Sequence, residues 1–318
     1  MKSIVCTVFE GHYHKGVAAL VNSLYAHGFV GSIWLGYKGA LPPWAVIATN
    51  SGGVEVMNVR DNLSLHFVRL PDKMFLPYSK PEFMLDLLDK YVPDAERILY
   101  FDCDIVVKCD FSHFEQWTDF GIALCEDVNS PISPTDPLRY QWVRYFKQHG
   151  IVVRQSDNQY VNGGFIGLSR KAKGFLDTWR RVQELVLEDM RSANADVHLS
   201  HKPEKISGLK DRTYMFNRTD QDALNIAKDT TEESLSIADS SAMDFRGIGF
   251  IMSHAVSKIK PWEKNWMMHV IRNGQRPSPT DRLFMEHTTS PINIYTPCER
   301  ALKKAHLKAA SALARVIA

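Results

Sequence analysis

An α/β domain, a sheet flanked by helices, is the fold class the sequence predicts, and three observations predict it. Through the first hundred or so residues, short runs rich in Val, Ile, Leu and aromatic residues alternate with segments whose apolar residues recur at helical spacing. The run Arg97-Ile98-Leu99-Tyr100-Phe101 is almost continuously apolar, as a strand covered on both faces must be, and it ends abruptly in Asp102-Cys103-Asp104. The chain also has 318 residues of which 45% are hydrophobic and 23% charged, enough to bury a sizeable core as one large domain or two small ones.

The elements follow in order. Residues 4–9 form a first strand, and 15–27 a helix that places Val17, Leu20, Val21 and Leu24 on one side. Residues 33–37, 54–59 and 65–70 are further strands, and 81–91 a helix with Phe83, Leu87 and Leu88 inward, before the central strand at 98–101. This first part resembles a nucleotide-binding α/β half, yet no glycine-rich phosphate loop follows its first strand, so dinucleotide and P-loop chemistry are not signalled. A strand at 121–125 leads into 129–157, a stretch with three prolines and the aromatics Tyr140, Trp142, Tyr145 and Phe146, which reads as a loop with a short helix. Its aromatics suit either a lid or stacking platform for a sugar, or an apolar patch on the domain. The run 160–168 is a strand in which Asn162-Gly163-Gly164 marks a turn or a close approach. A long helix at 171–193 and a polar, turn-rich segment at 194–217 follow. Then Asp220-Gln221-Asp222 opens a helix with acids in its first turn, where the helix dipole favours them. Neither an internal repeat nor a low-complexity tract is present.

Composition excludes some functions. A formal net charge of +2 gives no global basic field of the kind nucleic acid demands. Five scattered cysteines, Cys6, Cys103, Cys109, Cys125 and Cys298, suit reduced thiols in a reducing compartment better than disulfides or zinc. Met1-Lys2-Ser3 leads straight into a strand, and no apolar run approaches bilayer-spanning length, so the expected location is cytoplasmic or peripheral to a membrane.

The acid pair carries the chemistry. Ligands of open α/β sheets collect outside the carboxyl ends of the strands, so Asp102 and Asp104 stand at the mouth of a crevice. Alternate residues of an extended strand point the same way, so both carboxylates reach one hard divalent ion whose open positions suit a diphosphate. Taken alone, Asp-x-Asp fits a merely solvated strand end equally well. The later cluster His254-Ala255-Val256-Ser257-Lys258-Ile259-Lys260-Pro261-Trp262 places an imidazole and two ammonium groups after an apolar strand; a lone His there is usually structural.

Taken in order, Asp102-x-Asp104, Asn162-Gly163-Gly164, Asp220-Gln221-Asp222-x-Leu224-Asn225 and His254-x-x-Ser257-x-x-Lys260-Pro261-Trp262 resemble the motifs of glycosyltransferase family 8, the retaining nucleotide-sugar transferases. The likeness spans about residues 1–265. It implies the GT-A fold, a Rossmann-like mixed sheet flanked by helices, with Mn2+ (or Mg2+) and a UDP-sugar donor, UDP-glucose or UDP-galactose being favoured. It further implies a hexose passed to a glycan or lipid-linked acceptor, and hence a part in polysaccharide biosynthesis. By the resemblance Asp102, Asp104 and His254 are the metal ligands, a borderline-hard set suited to manganese. Glu10 and Tyr13 are similar to the pair that meets the uracil, with Glu in place of the usual Asp. Lys80 stands where the family carries Arg, keeping the charge but losing the fork. Lys260 resembles the diphosphate clamp, and Ser257 replaces a family Gly. Asp220 resembles the residue holding the sugar hydroxyls, and Gln221 would lie near the anomeric carbon, too weak a nucleophile for an obligatory covalent intermediate. Asn162 is similar to a sugar contact, and Thr7, Cys103 and Gly163 complete the donor-binding set. Asp222 fits a capping acid as well as a sugar contact.

The tail 300–318 puts Leu302, Ala305, Ala309, Leu313 and Val316 on one side and Arg300, Lys304, Lys308 and Arg315 opposite. This basic amphipathic helix suits an anionic membrane surface or docking on the domain. The expected division is a catalytic domain over 1–270 and an extension over 271–318. Two other classes share features with the chain. Phe101-Asp102-Cys103-Asp104 fits the opening of haloacid-dehalogenase-like phosphatases, although that opening normally starts its domain. A non-catalytic nucleotide-sugar-binding module would bind the donor without turnover.

Overall fold

A computed structural model describes residues 2–72, 75–154, 157–193, 215–216, 218–247 and 249–317. Most of the turn-rich 194–217 segment lies outside the described residues. The chain begins β1 (Ser3–Glu10), α1 (His14–Ala26), β2 (Gly31–Lys38), β3 (Thr49–Ser51), β4 (Val54–Arg60), β5 (Leu63–Arg69) and α2 (Lys80–Asp86). It continues through β6 (Arg97–Phe101), β7 (Ile105–Val107), α3 (Phe111–Trp117), β8 (Ile122–Glu126), α4 (Pro137–Gln148), β9 (Val161–Ser169) and α5 (Gly174–Ala193). After these come α6 (Thr219–Thr230), β10 (Leu235–Ala238), β11 (Met252–His254), α7 (Trp266–Asn273), α8 (Pro279–Glu286) and α9 (Pro297–Ile317).

Among the described residues, nine strands form one mixed sheet in the order β10-β8-β9-β6-β1-β2-β5-β4-β3. β6, β1, β2 and β5 are parallel neighbours, whereas β9 runs antiparallel between β6 and β8. The sheet is buried on both faces, and successive residues feed opposite cores. Ile98 and Tyr100 pack with Leu87, Trp142 and Trp179 on one side; Leu99 and Phe101 pack with Val17, Leu20 and Phe114 on the other. This is why β6 reads as an unbroken apolar run.

Two differences from the sequence reading have physical causes, and packing decides one choice that the sequence left open. Asp102, Cys103 and Asp104 lie beyond β6 in a turn, with the Ile105 amide donating to the Asp102 carbonyl at 3.0 Å, so strand alternation does not set their directions. The aromatics of α4 are not a free platform: Trp142 and Phe146 are fully buried, and the Trp142 indole N–H donates to the Met215 carbonyl. The α9 helix docks, burying Leu307, Ala310 and Ala314 with Trp266 and Val270; of the expected apolar stripe Leu313 packs partly against that cluster, while Leu302, 66% exposed, and Val316, 84% exposed, face outward. An alanine-rich helix has no dominant apolar face, so the partner surface chooses which side is buried.

Candidate functional site

The site forms where β1 and β6 end and a small ribbon crosses them. β11 pairs antiparallel with β7, placing His254 opposite Ile105, and the Ala255 amide donates to the Asp104 carbonyl at 3.1 Å. Residues about 150 positions apart in sequence are thereby held side by side. The His254 Nε2 lies 3.1 Å from Asp104 and 3.7 Å from Asp102, and ligand atoms of Asp102, Asp104 and His254 all fall within 4.8 Å of one another.

Two lysines complete the cluster. Lys260 Nζ sits 2.7 Å from the second Asp104 oxygen and donates to the Ala255 carbonyl at 2.6 Å, so it is tied to its own loop. Lys80 Nζ, 4% exposed, lies 3.0 Å from Asp102 and 3.6 Å from Asp220 and donates to the Gly163 carbonyl at 2.9 Å. Tyr100 on β6 adds a hydroxyl that donates to Asp102 at 2.7 Å.

Electrostatics follow from burial set against these partners. Burial acts to raise the Asp104 pKa, but His254 and Lys260 outweigh it and hold the carboxyl well below the usual range. Burial likewise works against the Lys80 and Lys260 ammonium groups, and the carboxylates around them more than compensate, so both stay charged. Asp220 is raised by burial despite Lys80. Asp222, 1% exposed, accepts from the Tyr160 hydroxyl at 2.6 Å and the Arg218 amide at 2.8 Å, and burial pushes it up to about 6. It secures the start of α6.

A cavity of about 260 Å3 opens beside the acids, lined among others by Glu10, Tyr13, Leu76, Lys80, Asp220 and Lys260. Asp102, Cys103 and Asp104 also line it; the Cys103 thiol is buried, which raises its pKa well above the ordinary value. Tyr13 stands at one wall with its ring edge-on to Trp262 at 5.5 Å. Gln221 accepts from the Gly163 amide at 3.2 Å and from Asn162 at 3.4 Å, which leaves its carbonyl engaged with β9. Thr7 is fully buried in β1, its hydroxyl without a partner among the described residues, and the exposed Ser257 donates to the Ile259 carbonyl at 2.8 Å. Neither is among the residues lining the cavity.

Sequence reasoning missed Asp127. It is 4% exposed and accepts from the Asn162 side chain at 2.7 Å and from the Asn129 amide at 3.0 Å. The signal was available: Asp127 directly follows β8, as Asp102 directly follows β6. It also missed the apolar wall of Phe75, Leu76 and Pro77, which stands in a loop.

The residues fit a divalent ion. Nε2 faces both acids, whereas Nδ1 is buried with no partner among the described residues. A deprotonated Nε2 together with one oxygen from each carboxylate would offer three donor atoms converging on one point. An N,O,O set of this kind suits manganese or magnesium.

No family model matches the chain, and no curated protein does either. Among solved structures, an active-site mutant of LgtC aligns over 94% of this chain and 99% of its own, with a TM-score of 0.51 and 15% identity. The fold is GT-A. A second structure, the galactosyltransferase LgtC in complex with donor and acceptor sugar analogues, covers the same shares at 16% identity and a TM-score of 0.49. With the GT-A fold assigned, Asp102-x-Asp104 follows the sixth of the eleven described strands, deep in its domain, and not the domain-opening strand a haloacid-dehalogenase-like phosphatase would need.

Proposed function

We propose that the protein is a metal-dependent retaining glycosyltransferase that moves a hexose from a UDP-sugar, UDP-glucose or UDP-galactose, to a glycan or lipid-linked acceptor. The observation that carries this reading is the convergence of Asp102, Asp104 and His254 with the buried ammonium groups of Lys80 and Lys260 at one cavity of a GT-A fold. Asp102, Asp104 and His254 would hold a divalent ion, Mn2+ or Mg2+, which when bound neutralises diphosphate charge.

The chain's own residues do the rest. Lys260, fixed by the Ala255 carbonyl, presents a positive charge to the departing diphosphate without having to reorganise. Lys80 neutralises Asp102 and Asp220 together and so holds the metal side and the sugar side of the site in register. Asp220 accepts from donor sugar hydroxyls, and Asn162, oriented by Asp127, offers a further polar contact. The Gln221 amide is positioned by β9 and serves as a polar wall near the anomeric carbon; the departing UDP oxygen takes the acceptor's proton. Tyr13 and Glu10 receive the uracil, with Cys103 at the cavity wall, while Thr7 and Ser257 lie off the cavity and take no part in holding the donor. The unit over 1–270 carries this chemistry and the extension over 271–318 completes its surface.

The outer face of α9 supports a reversible contact with an anionic membrane. Lys304, Lys308 and Arg315 are exposed there beside Leu302 and Val316, and each basic side chain near such a surface adds about 1 kcal/mol. No described helix is long and apolar enough to cross a membrane. The test of function is a screen of UDP-sugars with manganese, following UDP release without acceptor. Release from one hexose donor, abolished by chelation, is the expected result; binding of every donor with no release would indicate a non-catalytic binding module and overturn the proposal.

A further inference from the structure

We infer that Gly164 is the seat of the His254 imidazole: the missing side chain at this point of β9 is the space the ring occupies, which makes Gly164 a positioning residue for the metal site. The seat rests on packing alone, whereas its consequence for metal affinity rests on the function proposed above.

A Cβ built on Gly164 would lie 2.6 Å from His254 Cε1, 2.9 Å from its Nδ1 and 2.8 Å from Asn162 Oδ1. Carbon atoms in contact prefer about 3.5–4.0 Å, so even a methyl group forces the ring to move. Gly164 lies in β9 where its register against β8 shifts, yet it is not among the positive-φ glycines, so it is needed there for space and not for a left-handed backbone. The ring has little room to retreat. His254 is 9% exposed, its backbone is paired with Ile105, and the Phe245 ring stands 5.9 Å from it. The movement left to it is rotation about χ1, which carries Nε2 away from Asp104. Gly164 also touches the other half of the site, because its carbonyl accepts from the Asp102 amide at 2.7 Å.

The neighbouring glycine provides the contrast. Gly163 points to the opposite face of the strand, where an added Cβ would meet Lys80 Nζ at 3.7 Å and Asp220 at 3.9 Å, ordinary contact distances. Of the two adjacent glycines, only Gly164 has the imidazole in the place of its side chain.

The experiment measures manganese binding calorimetrically in the full chain without nucleotide, and solves the metal-free structure of the Gly164→Ala variant. Gly164→Ala is expected to weaken manganese about 10–100-fold, as loss of an orienting neighbour of a metal ligand does. Gly174→Ala, at a glycine remote from the site where an added Cβ would meet nothing within 4 Å, is expected to stay within about twofold of wild type. Adding Gly164→Ala to His254→Ala should cost no further affinity, because the ring being displaced is already absent. If the single variant fails to fold, folding should return in the His254→Ala background; loss of fold in both backgrounds would assign the glycine to Asn162 and overturn the seat. An imidazole unmoved in the metal-free variant overturns it as well. Should wild type bind no manganese, the proposed function falls, and the seat is then judged on the metal-free structure alone.

Discussion

Replacing Lys80 by methionine keeps most of its apolar stem in the core and removes the ammonium shared by two carboxylates. The nitrogen lies 3.0 Å from Asp102 and 3.6 Å from Asp220, and its side chain is 5% accessible. At such distances each attraction is worth about 4 kcal/mol with an effective dielectric near 20, most of which offsets the cost of burying the ammonium. Breaking a buried pair by deleting one partner typically costs about 3–5 kcal/mol. Asp102 and Asp220 are each 25% accessible, so water takes up part of the loss and about 3 kcal/mol is expected. The pH dependence has a definite sign. Burial already raises Asp220, and losing the Lys80 cation that opposes this raises it further. An acid with a raised folded pKa costs stability as pH rises through that pKa, so the variant should be hurt more at pH 8 than at pH 5. Urea unfolding at the two pH values measures this. A loss below about 1 kcal/mol, or one equal at both pH values, would refute Lys80 as counter-ion to both acids.

Lys260→Ala should lower turnover at saturating metal by about 2–4 kcal/mol, roughly 30- to 1000-fold, as loss of a preorganised charge stabiliser does, while manganese affinity rises because a cation competing for Asp104 is gone; steady-state UDP release and calorimetry separate the two effects. Asp222 titrates near 6 against an ordinary 3.8, so its burial costs up to about 3 kcal/mol that appears as pH rises between those values; the stability difference between wild type and Asp222→Asn should change by that amount across the same window in urea melts. Leu307→Ala, in the buried face of α9, should cost about 2–4 kcal/mol, whereas Leu302→Ala on the outer face should stay within about 0.5 kcal/mol and instead reduce co-sedimentation with anionic vesicles.

The alternation of strands and helices was legible because each side of the sheet is filled by every second residue of β1 and β6, and that leaves continuous apolar runs. The acid pair and His254 were legible as motifs, but what joins them was not: β7 and β11 are three residues each and are defined by pairing with one another. Lys260 reads as a diphosphate clamp in sequence, yet its hold on Asp104 depends on a loop whose path only tertiary packing decides. Whether Trp142 and Phe146 form a platform or a buried patch stayed open in the sequence, because the apolar residues of α5 and α6 in the same core cluster are distant in the chain. The face of α9 was misread because alanines populate every side of it, so Trp266 and Val270 determined which side docked.

Anomalous scattering from a crystal soaked with Mn2+ and UDP addresses the central claim directly. A single manganese peak within coordination distance of Asp102, Asp104 and His254, touching the diphosphate and with Lys260 on the same phosphates, is the expected result. A peak elsewhere, or UDP bound in this cavity with no metal among the three side chains, would contradict it.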